Sequence, residues 1–77
     1  MTDRLTPEQF RAERSRMNMT IKEMAEFIGI STRAVSYYEA GQGPVPIPIS
    51  KFLAFIARKD KEYGITYPEI EDQRNDS

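Results

Sequence analysis

The sequence contains no cysteine and no histidine among its 77 residues. Their absence excludes disulfide scaffolds, thiol nucleophiles, zinc fingers and every catalytic scheme that uses an imidazole base. The sequence also lacks a run of the roughly 18 apolar residues that a membrane span requires. The N-terminus, Met1 to Arg4, has no apolar stretch of the kind found in secretory signals, so we expect a cytoplasmic protein that does not bind membranes.

A chain of this length forms one domain at most, and its apolar residues, 39% of the total, suffice for one modest core. Carboxylates, hydroxyls, phenols and amines are then the groups left for chemistry, in a chain too small to enclose a deep pocket. Glu13, Glu23 and Glu26 could be imagined as a catalytic carboxylate group, but no metal-ligand spacing supports one. The sequence therefore predicts a protein that is not an enzyme and has no metal, no cofactor and no evident small-molecule ligand.

The net charge of −1 conceals an uneven distribution of charge along the chain. Residues 1–59 carry nine basic and six acidic groups, a net +3, whereas residues 60–77 carry two basic and six acidic groups, a net −4. An acidic end thus masks a mildly basic domain. We predict a helical domain over residues 1–63 and an acidic C-terminal tail over residues 64–77, part of which could be ordered as a dimerisation segment.

Capping residues and helix breakers mark the first two helices. Thr6 followed by Pro7 is typical of a helix start, and Asn18 suits the left-handed residue just past a helix end. Residues 20–23, Thr-Ile-Lys-Glu, form a capping box, in which the first and last side chains bond each other's backbone N–H groups. An apolar face follows the box, and Gly29 ends the second helix after little more than two turns.

The second half of the chain predicts two further helices. Ser31 caps a third helix, which ends in a segment rich in glycine and proline, residues 41–48. Three alternating prolines in that segment force an extended linker and argue against a strand. A fourth helix is expected from about Pro48 to residues 59–63, and residues 66–73 could add one short turn. The predicted fold class is all-α, a compact bundle of four to five short helices.

The corner between the second and third helices is the most informative part of the sequence. A turn of about four residues requires a small residue where the helices cross, which Ala25 supplies, and a residue that is free to turn, which is Gly29. Val35 is the branched apolar residue that seals the third helix onto the second. Alanine, glycine and valine at these intervals have the spacing of a DNA-binding helix-turn-helix.

Over about residues 5–57 the sequence resembles the Cro/repressor-type (XRE-like) helix-turn-helix DNA-binding family. The matching segments are Phe10 to Arg14, Met19-Thr20, Met24 to Ser31, Val35 to Gly41 and Pro44 to Pro46. The resemblance implies a DNA-binding transcription regulator whose third helix lies in the major groove with its N-terminal end toward the bases.

The resemblance also implies roles for individual residues. Base contacts are expected from the outward side chains of the third helix, which are Thr32, Arg33, Ser36 and Tyr37. Phosphate contacts are expected from Thr20, Lys22, Ser31, Gln42 and Lys51. Arg33 is the best candidate for reading guanine through two hydrogen bonds. Members of the family pair an arginine of the first helix with a glutamate near the end of the third, and Arg14 and Glu39 occupy those places as a structural ion pair.

Because one recognition helix reads only a few base pairs, we expect a homodimer on an inverted-repeat operator in double-stranded DNA, with half-sites about 34 Å apart. Such a dimer would act as a repressor or autoregulator by occluding a promoter. The candidates for its interface are otherwise unexplained apolar residues of the fourth helix and the tail, namely Phe52, Phe55, Ile65, Tyr67 and Ile70.

Two positions depart from the family pattern. Ile21 and Ala40 stand where many members carry a glutamine and an asparagine, so we expect weaker DNA binding with a shallower salt dependence. Together with the low net charge, these departures favour an alternative function: a protein-interaction module, or an antitoxin-type partner, that keeps the helix-turn-helix shape without relying on DNA.

Overall fold

The computed structural model of the chain describes residues 4–67, and over those residues it contains four α-helices and no β-strand. The helices are α1 (Pro7–Arg16), α2 (Ile21–Ile28), α3 (Thr32–Glu39) and α4 (Ile47–Tyr63). The prediction of an all-α helical bundle is therefore confirmed. Most of the short turn predicted over residues 66–73 lies outside the described residues, and residues 65–67 are not helical.

Side-chain caps start the first three helices. The Thr6 hydroxyl accepts a hydrogen bond from the Gln9 backbone N–H at 3.0 Å, and the Gln9 side-chain oxygen accepts one from the Thr6 N–H at 2.9 Å. The same reciprocal box joins Thr20 and Glu23, at 3.1 and 2.9 Å. Ser31 caps α3 through its hydroxyl. The sequence predicted all three caps, and the part played by Gln9 was not anticipated.

Left-handed residues and prolines set the ends of the helices. Asn18, with φ 55°, and Gly29, with φ 90°, adopt the left-handed conformation after α1 and α2, as the sequence predicts. The fourth helix begins at Ile47, slightly earlier than expected. Pro48 therefore lies in the first turn of this helix and not in the extended linker where the sequence analysis placed it. A proline fits there since the first N–H groups of a helix have no partner within the helix.

A single core joins the four helices. Its buried apolar side chains are Phe10, Met17, Met24, Ala25, Val35, Val45 and Leu53. α3 packs against both α1 and α2, so the helix-turn-helix corner sits on the core as a unit. Ile21 is partly buried against this core, which gives an apolar packing role to the residue that departs from the family's glutamine. Within residues 4–67, no helix combines the length and the apolar character needed to cross a membrane.

Candidate nucleic-acid interface

The residues of α3 predicted to contact bases are all exposed. They are Thr32, Arg33, Ser36 and Tyr37. The opposite side of the same helix buries Val35 and Glu39. Because residues four apart are neighbours on a helix surface, Arg33 and Tyr37 share one strip of α3, and Thr32 and Ser36 share the strip beside it. We refer to these four exposed residues as the α3 face.

An ion pair holds the other side of α3 to α1. Arg14 Nε donates to Glu39 Oε2 at 2.7 Å, and Arg14 Nη2 donates to Glu39 Oε1 at 3.1 Å, so the guanidinium grips both carboxylate oxygens. The two side chains are only 15% and 8% exposed. Arg14 Nη1 also donates to the Met19 carbonyl oxygen at 3.1 Å, which ties the segment before α2 to the same group. The structure thus brings together the two residues that the resemblance assigned to this pair.

Arg11 is a third member of this cluster, which sequence reasoning missed. Its Nη2 donates to the Glu39 backbone carbonyl at 3.2 Å, and its Nε lies 3.7 Å from Glu39 Oε1. The carbonyl belongs to the last residue of α3, where a helix leaves its C=O groups without partners inside the helix. The sequence contained a signal for this contact. Arg11 lies one helical turn before Arg14, so the two arginines share the side of α1 that faces α3.

Two of the predicted phosphate contacts are helix caps. The hydroxyl oxygens of Thr20 and Ser31 each accept a backbone N–H at the start of α2 and α3, at 3.1 and 3.0 Å. A hydroxyl that accepts in this way keeps its own proton as a donor. The N-terminal ends of both helices carry the positive end of the helix dipole, so both caps suit contact with an anion.

The other predicted phosphate contacts lie on three separate elements, all exposed. Lys22 lies in the first turn of α2, Lys51 lies in α4, and Gln42 lies in the turn after α3. The Gln42 backbone N–H donates to the Tyr37 carbonyl oxygen at 3.2 Å, which brings this turn against the end of α3. In the part of the chain that the structure describes, neither lysine forms an ion pair, and neither does Arg33.

Tyr37 is exposed but firmly packed. Its ring makes an edge contact with the Tyr38 ring, with centroids 5.7 Å apart, and Tyr38 in turn packs against Phe10 at 5.9 Å. The Tyr37 ring also lies directly against Gly43, in the turn after α3. The side chain nevertheless remains 44% exposed. Sequence reasoning placed Tyr37 outward and treated Gly43 only as part of the segment that ends α3, without a contact to Tyr37.

The predicted dimer-interface residues fall into separate groups. Phe52, Phe55 and Ile65 are exposed large apolar side chains. Tyr67, by contrast, packs on its own chain: its hydroxyl donates to Asp60 Oδ2 at 2.7 Å, and its carbonyl oxygen accepts from Asn18 Nδ2 at 2.9 Å. The reason for assigning Tyr67 to an interface was that it had no other role, and these contacts give it one within the monomer. Ile70 lies outside the described residues.

A second ion-pair cluster, which the sequence did not predict, joins α1 to the end of α4. Arg16 donates to Asp60 Oδ2 at 2.8 Å and to Glu13 Oε1 at 2.8 and 3.0 Å. The Tyr67 hydroxyl and then Arg16 lower the pKa of Asp60 by hydrogen bonding to its carboxylate. Burial and the bond to Asp60 raise the pKa of Tyr67. The charge count placed Asp60 in the acidic end, residues 60–77, and the structure buries it within the predicted helical domain. Tyr67, which belongs to the predicted tail, packs beside it.

Two packed helices joined by a tight turn, with the second helix exposed along a polar face, define a helix-turn-helix domain. A family model described as Helix-turn-helix matches residues 10–54, which are 45 of the 77 residues. The chain belongs to this family, in its Cro/C1-type, XRE-like form, and is a DNA-binding regulator rather than a member of an enzyme family. The resemblance seen in the sequence is therefore confirmed. No curated protein and no solved structure matches the chain.

Proposed function

We propose that the protein is a homodimeric repressor or autoregulator that inserts the α3 face into the major groove of an inverted-repeat operator. The observation that carries this proposal is the exposure of Thr32, Arg33, Ser36 and Tyr37 on a helix whose inner side is held by the Arg14–Glu39 pair. A helix held in this way loses little conformational freedom when it binds, so its contacts contribute more fully to affinity.

Arg33 reads a guanine in each half-site in this proposal. It lies in the first turn of α3, the end that enters the groove first, and its guanidinium is exposed and makes no ion pair with any described residue. Two parallel hydrogen bonds to guanine O6 and N7 discriminate against other bases by about 1–3 kcal/mol. Thr32, Ser36 and Tyr37 contact neighbouring base edges or a thymine methyl group.

Phosphate contacts orient the domain on the duplex. Thr20 and Ser31 donate their hydroxyl protons from the helix caps, and Lys22, Gln42 and Lys51 approach the backbone from the surrounding elements. Such contacts fix the register of a protein on DNA but carry no sequence information themselves. With only two lysines among them, we expect a modest salt dependence.

The dimer forms through exposed apolar side chains of α4 and the segment after it, on this proposal. Phe52, Phe55 and Ile65 are 38%, 46% and 49% exposed, so their apolar surface is open to contact with a second copy of the chain. A symmetric dimer with half-sites about 34 Å apart would occupy two successive turns of one DNA face and occlude a promoter, acting in the cytoplasm.

DNA binding is tested by selecting duplexes from a random library and measuring their affinity by fluorescence anisotropy between about 50 and 200 mM salt. We expect affinity to fall as salt rises. Arg33→Ala should relax the preference at one position of each half-site, whereas Lys22→Ala should weaken all duplexes evenly and reduce the salt slope by about 1. Lys61→Ala, an exposed lysine of α4, is the matched control and should change neither. An unchanged base preference in Arg33→Ala would show that α3 is not the reading helix in this register.

Dimerisation is tested by sedimentation equilibrium. Phe55→Ser should shift the protein toward monomer and weaken operator binding with it. Tyr37→Ser removes an aromatic side chain of similar exposure, 44% against 46%, from the α3 face, and should leave the dimer intact while weakening DNA binding. A protein that is already monomeric at the concentrations that bind DNA would contradict the proposal.

A second candidate function, a protein-interaction or antitoxin-type module, is favoured by one observation. Phe27 of α2 and Phe52 of α4 are both 38% exposed, and their rings lie 5.5 Å apart. Beside them is an apolar groove of about 230 Å³ lined by Ile28, Pro48, Ile49 and Phe52. Aromatic residues are enriched in protein–protein interfaces, so an exposed aromatic pair beside an apolar groove favours a protein partner. Absence of duplex binding at low salt would support this alternative.

A further inference from the structure

Gly43 differs from the other three glycines of the chain. Gly29, Gly41 and Gly64 have φ values of 90°, 75° and 65°, a backbone region in which side chains are strained. Gly43 has no positive φ, so its backbone conformation does not call for glycine. If a side chain at position 43 is excluded, the reason must be its surroundings and not its backbone conformation.

The feature that excludes a side chain is the ring of Tyr37. A Cβ atom added to Gly43 would lie 2.5 Å from the Tyr37 hydroxyl oxygen, 2.6 Å from Cε2 and 2.8 Å from Cζ. Nonbonded heavy atoms pack at about 3.5–4.0 Å, so even alanine would force the ring to move. The space that glycine leaves open is occupied by the outer half of the tyrosine ring.

The turn that carries Gly43 is itself held against the last turn of α3. The Gly41 and Gln42 backbone N–H groups donate to the carbonyl oxygens of Tyr38 and Tyr37, both at 3.2 Å. The Tyr37 ring is therefore supported by Gly43 on one side and by the edge contact with Tyr38 on another, and the remainder faces solvent. An exposed side chain normally loses rotamer freedom when it binds, and a ring that is supported on two sides has less of that freedom to lose.

We infer that Gly43 is a positioning residue, which fixes the Tyr37 ring in the orientation that contacts the duplex, a role that rests on the proposed function of the α3 face. Gly43 does not itself touch the base in this arrangement. It acts through the ring, by allowing the turn to approach closely enough to support the ring in the orientation that it has in the free protein.

A double-mutant cycle tests whether Gly43 acts through Tyr37. The four proteins are the natural chain, Gly43→Ala, Tyr37→Ala and the double variant, and the measurement is affinity for the selected operator by fluorescence anisotropy. We expect Gly43→Ala to weaken binding roughly two- to tenfold, the effect of freeing one side chain at an interface. In the Tyr37→Ala background the same substitution should have no effect, since the ring that the new methyl group would strike is gone. An equal loss in both backgrounds, or no loss in either, overturns the inference.

Nuclear magnetic resonance of the free protein gives a readout that does not depend on DNA. Nuclear Overhauser contacts between the Gly43 Hα protons and the Tyr37 ring protons are expected in the natural chain and in Tyr37→Phe. In Gly43→Ala the contacts between residue 43 and the ring should change in relative intensity, because the ring has to move away from the new methyl group. Their absence from the natural chain overturns the positioning role whatever the DNA affinity. If the natural chain binds no duplex, the proposed function is overturned, and so is the contact between the Tyr37 ring and DNA. The packing of Gly43 on Tyr37 is tested separately, by the nuclear Overhauser contacts alone.

Discussion

The arginines of α1 and the arginine of α3 differ in what they bond. Arg11, Arg14 and Arg16 of α1 all donate to groups of the same chain, at distances between 2.7 and 3.2 Å. Arg33 of α3 forms no ion pair with any described residue and is exposed. The same residue type therefore builds the scaffold on one helix and remains available to a partner on the other, which a count of basic residues cannot distinguish.

The arginines of α1 also differ among themselves. Arg14 and Arg11 secure the end of α3 through Glu39, so they support the helix that we propose to read DNA. Arg16 secures the end of α4 and the segment up to Tyr67 through Asp60. Loss of one cluster should therefore affect a different part of the molecule from loss of the other.

The largest expected effect is that of Arg14→Ala. It leaves the Glu39 carboxylate, 8% exposed, with only the longer Arg11 contact, and removing one partner from a buried ion pair typically costs about 3–5 kcal/mol. Urea unfolding at pH 7 should show a loss near the lower end of that range. Arg33→Ala is the matched control and should change the free energy of unfolding by less than about 0.5 kcal/mol. Equal losses of unfolding free energy in Arg14→Ala and Arg33→Ala would contradict the proposed difference between the arginines of α1 and α3.

A smaller, pH-dependent effect is expected from the second cluster. Because the pKa of Asp60 is lowered from 3.8 in the folded protein, its contribution to stability is present above that value and is lost as the pH falls through the folded pKa. Because the pKa of Tyr67 is raised from 10.0, its contribution is present below that value and is lost as the pH rises through the folded pKa.

Thermal melting of Asp60→Asn and Tyr67→Phe measures this dependence. At pH 7 both variants should have a lower melting temperature than the natural chain. This difference in melting temperature should narrow for Asp60→Asn at strongly acidic pH and for Tyr67→Phe at strongly alkaline pH. The control is Glu62→Gln, which removes an exposed pair with Lys59 and should have little effect on melting at any pH. A difference in melting temperature that stays constant with pH would mean that the cluster stabilises the fold through packing and not through the charge of its groups.

The smallest expected effect on stability is that of Arg33→Lys. The positive charge is kept and the side chain is exposed, so the free energy of unfolding should stay within about 0.5 kcal/mol of the natural value. Lysine cannot make the planar pair of hydrogen bonds to guanine, so operator discrimination should still fall. Arg14→Lys is the matching substitution in α1. It loses the bidentate contact with Glu39, so its free energy of unfolding should fall measurably below that of Arg33→Lys. An undiminished preference for the operator in Arg33→Lys would contradict base reading by Arg33.

The helices and their corner could be predicted because their determinants are local. A capping box needs only residues three apart, as in Thr20 and Glu23, and a left-handed helix end needs only the residue itself, as in Gly29. The burial of Val35 follows from helical periodicity together with the helix-turn-helix spacing. Arg14 and Glu39 were paired from the resemblance to a family, and neither residue identifies its partner by position alone.

The contacts that prediction missed depend on how the helices pack. Arg16 and Asp60 are 44 residues apart, and nothing near Asp60 distinguishes it from the acidic residues that follow it. The place of Tyr67 depends on where α4 ends relative to α1, and the need for glycine at position 43 depends on where the Tyr37 ring lies.

The sequence by itself determined the all-helical fold, the side-chain caps of the first three helices and the corner between α2 and α3, since hydrogen bonding and backbone preference act over a few residues. Only the tertiary structure decided which charges hold the scaffold together and which face outward. Ion pairs and close packing require atoms within a few ångströms of each other, and those distances exist only after the helices have come together around their common core.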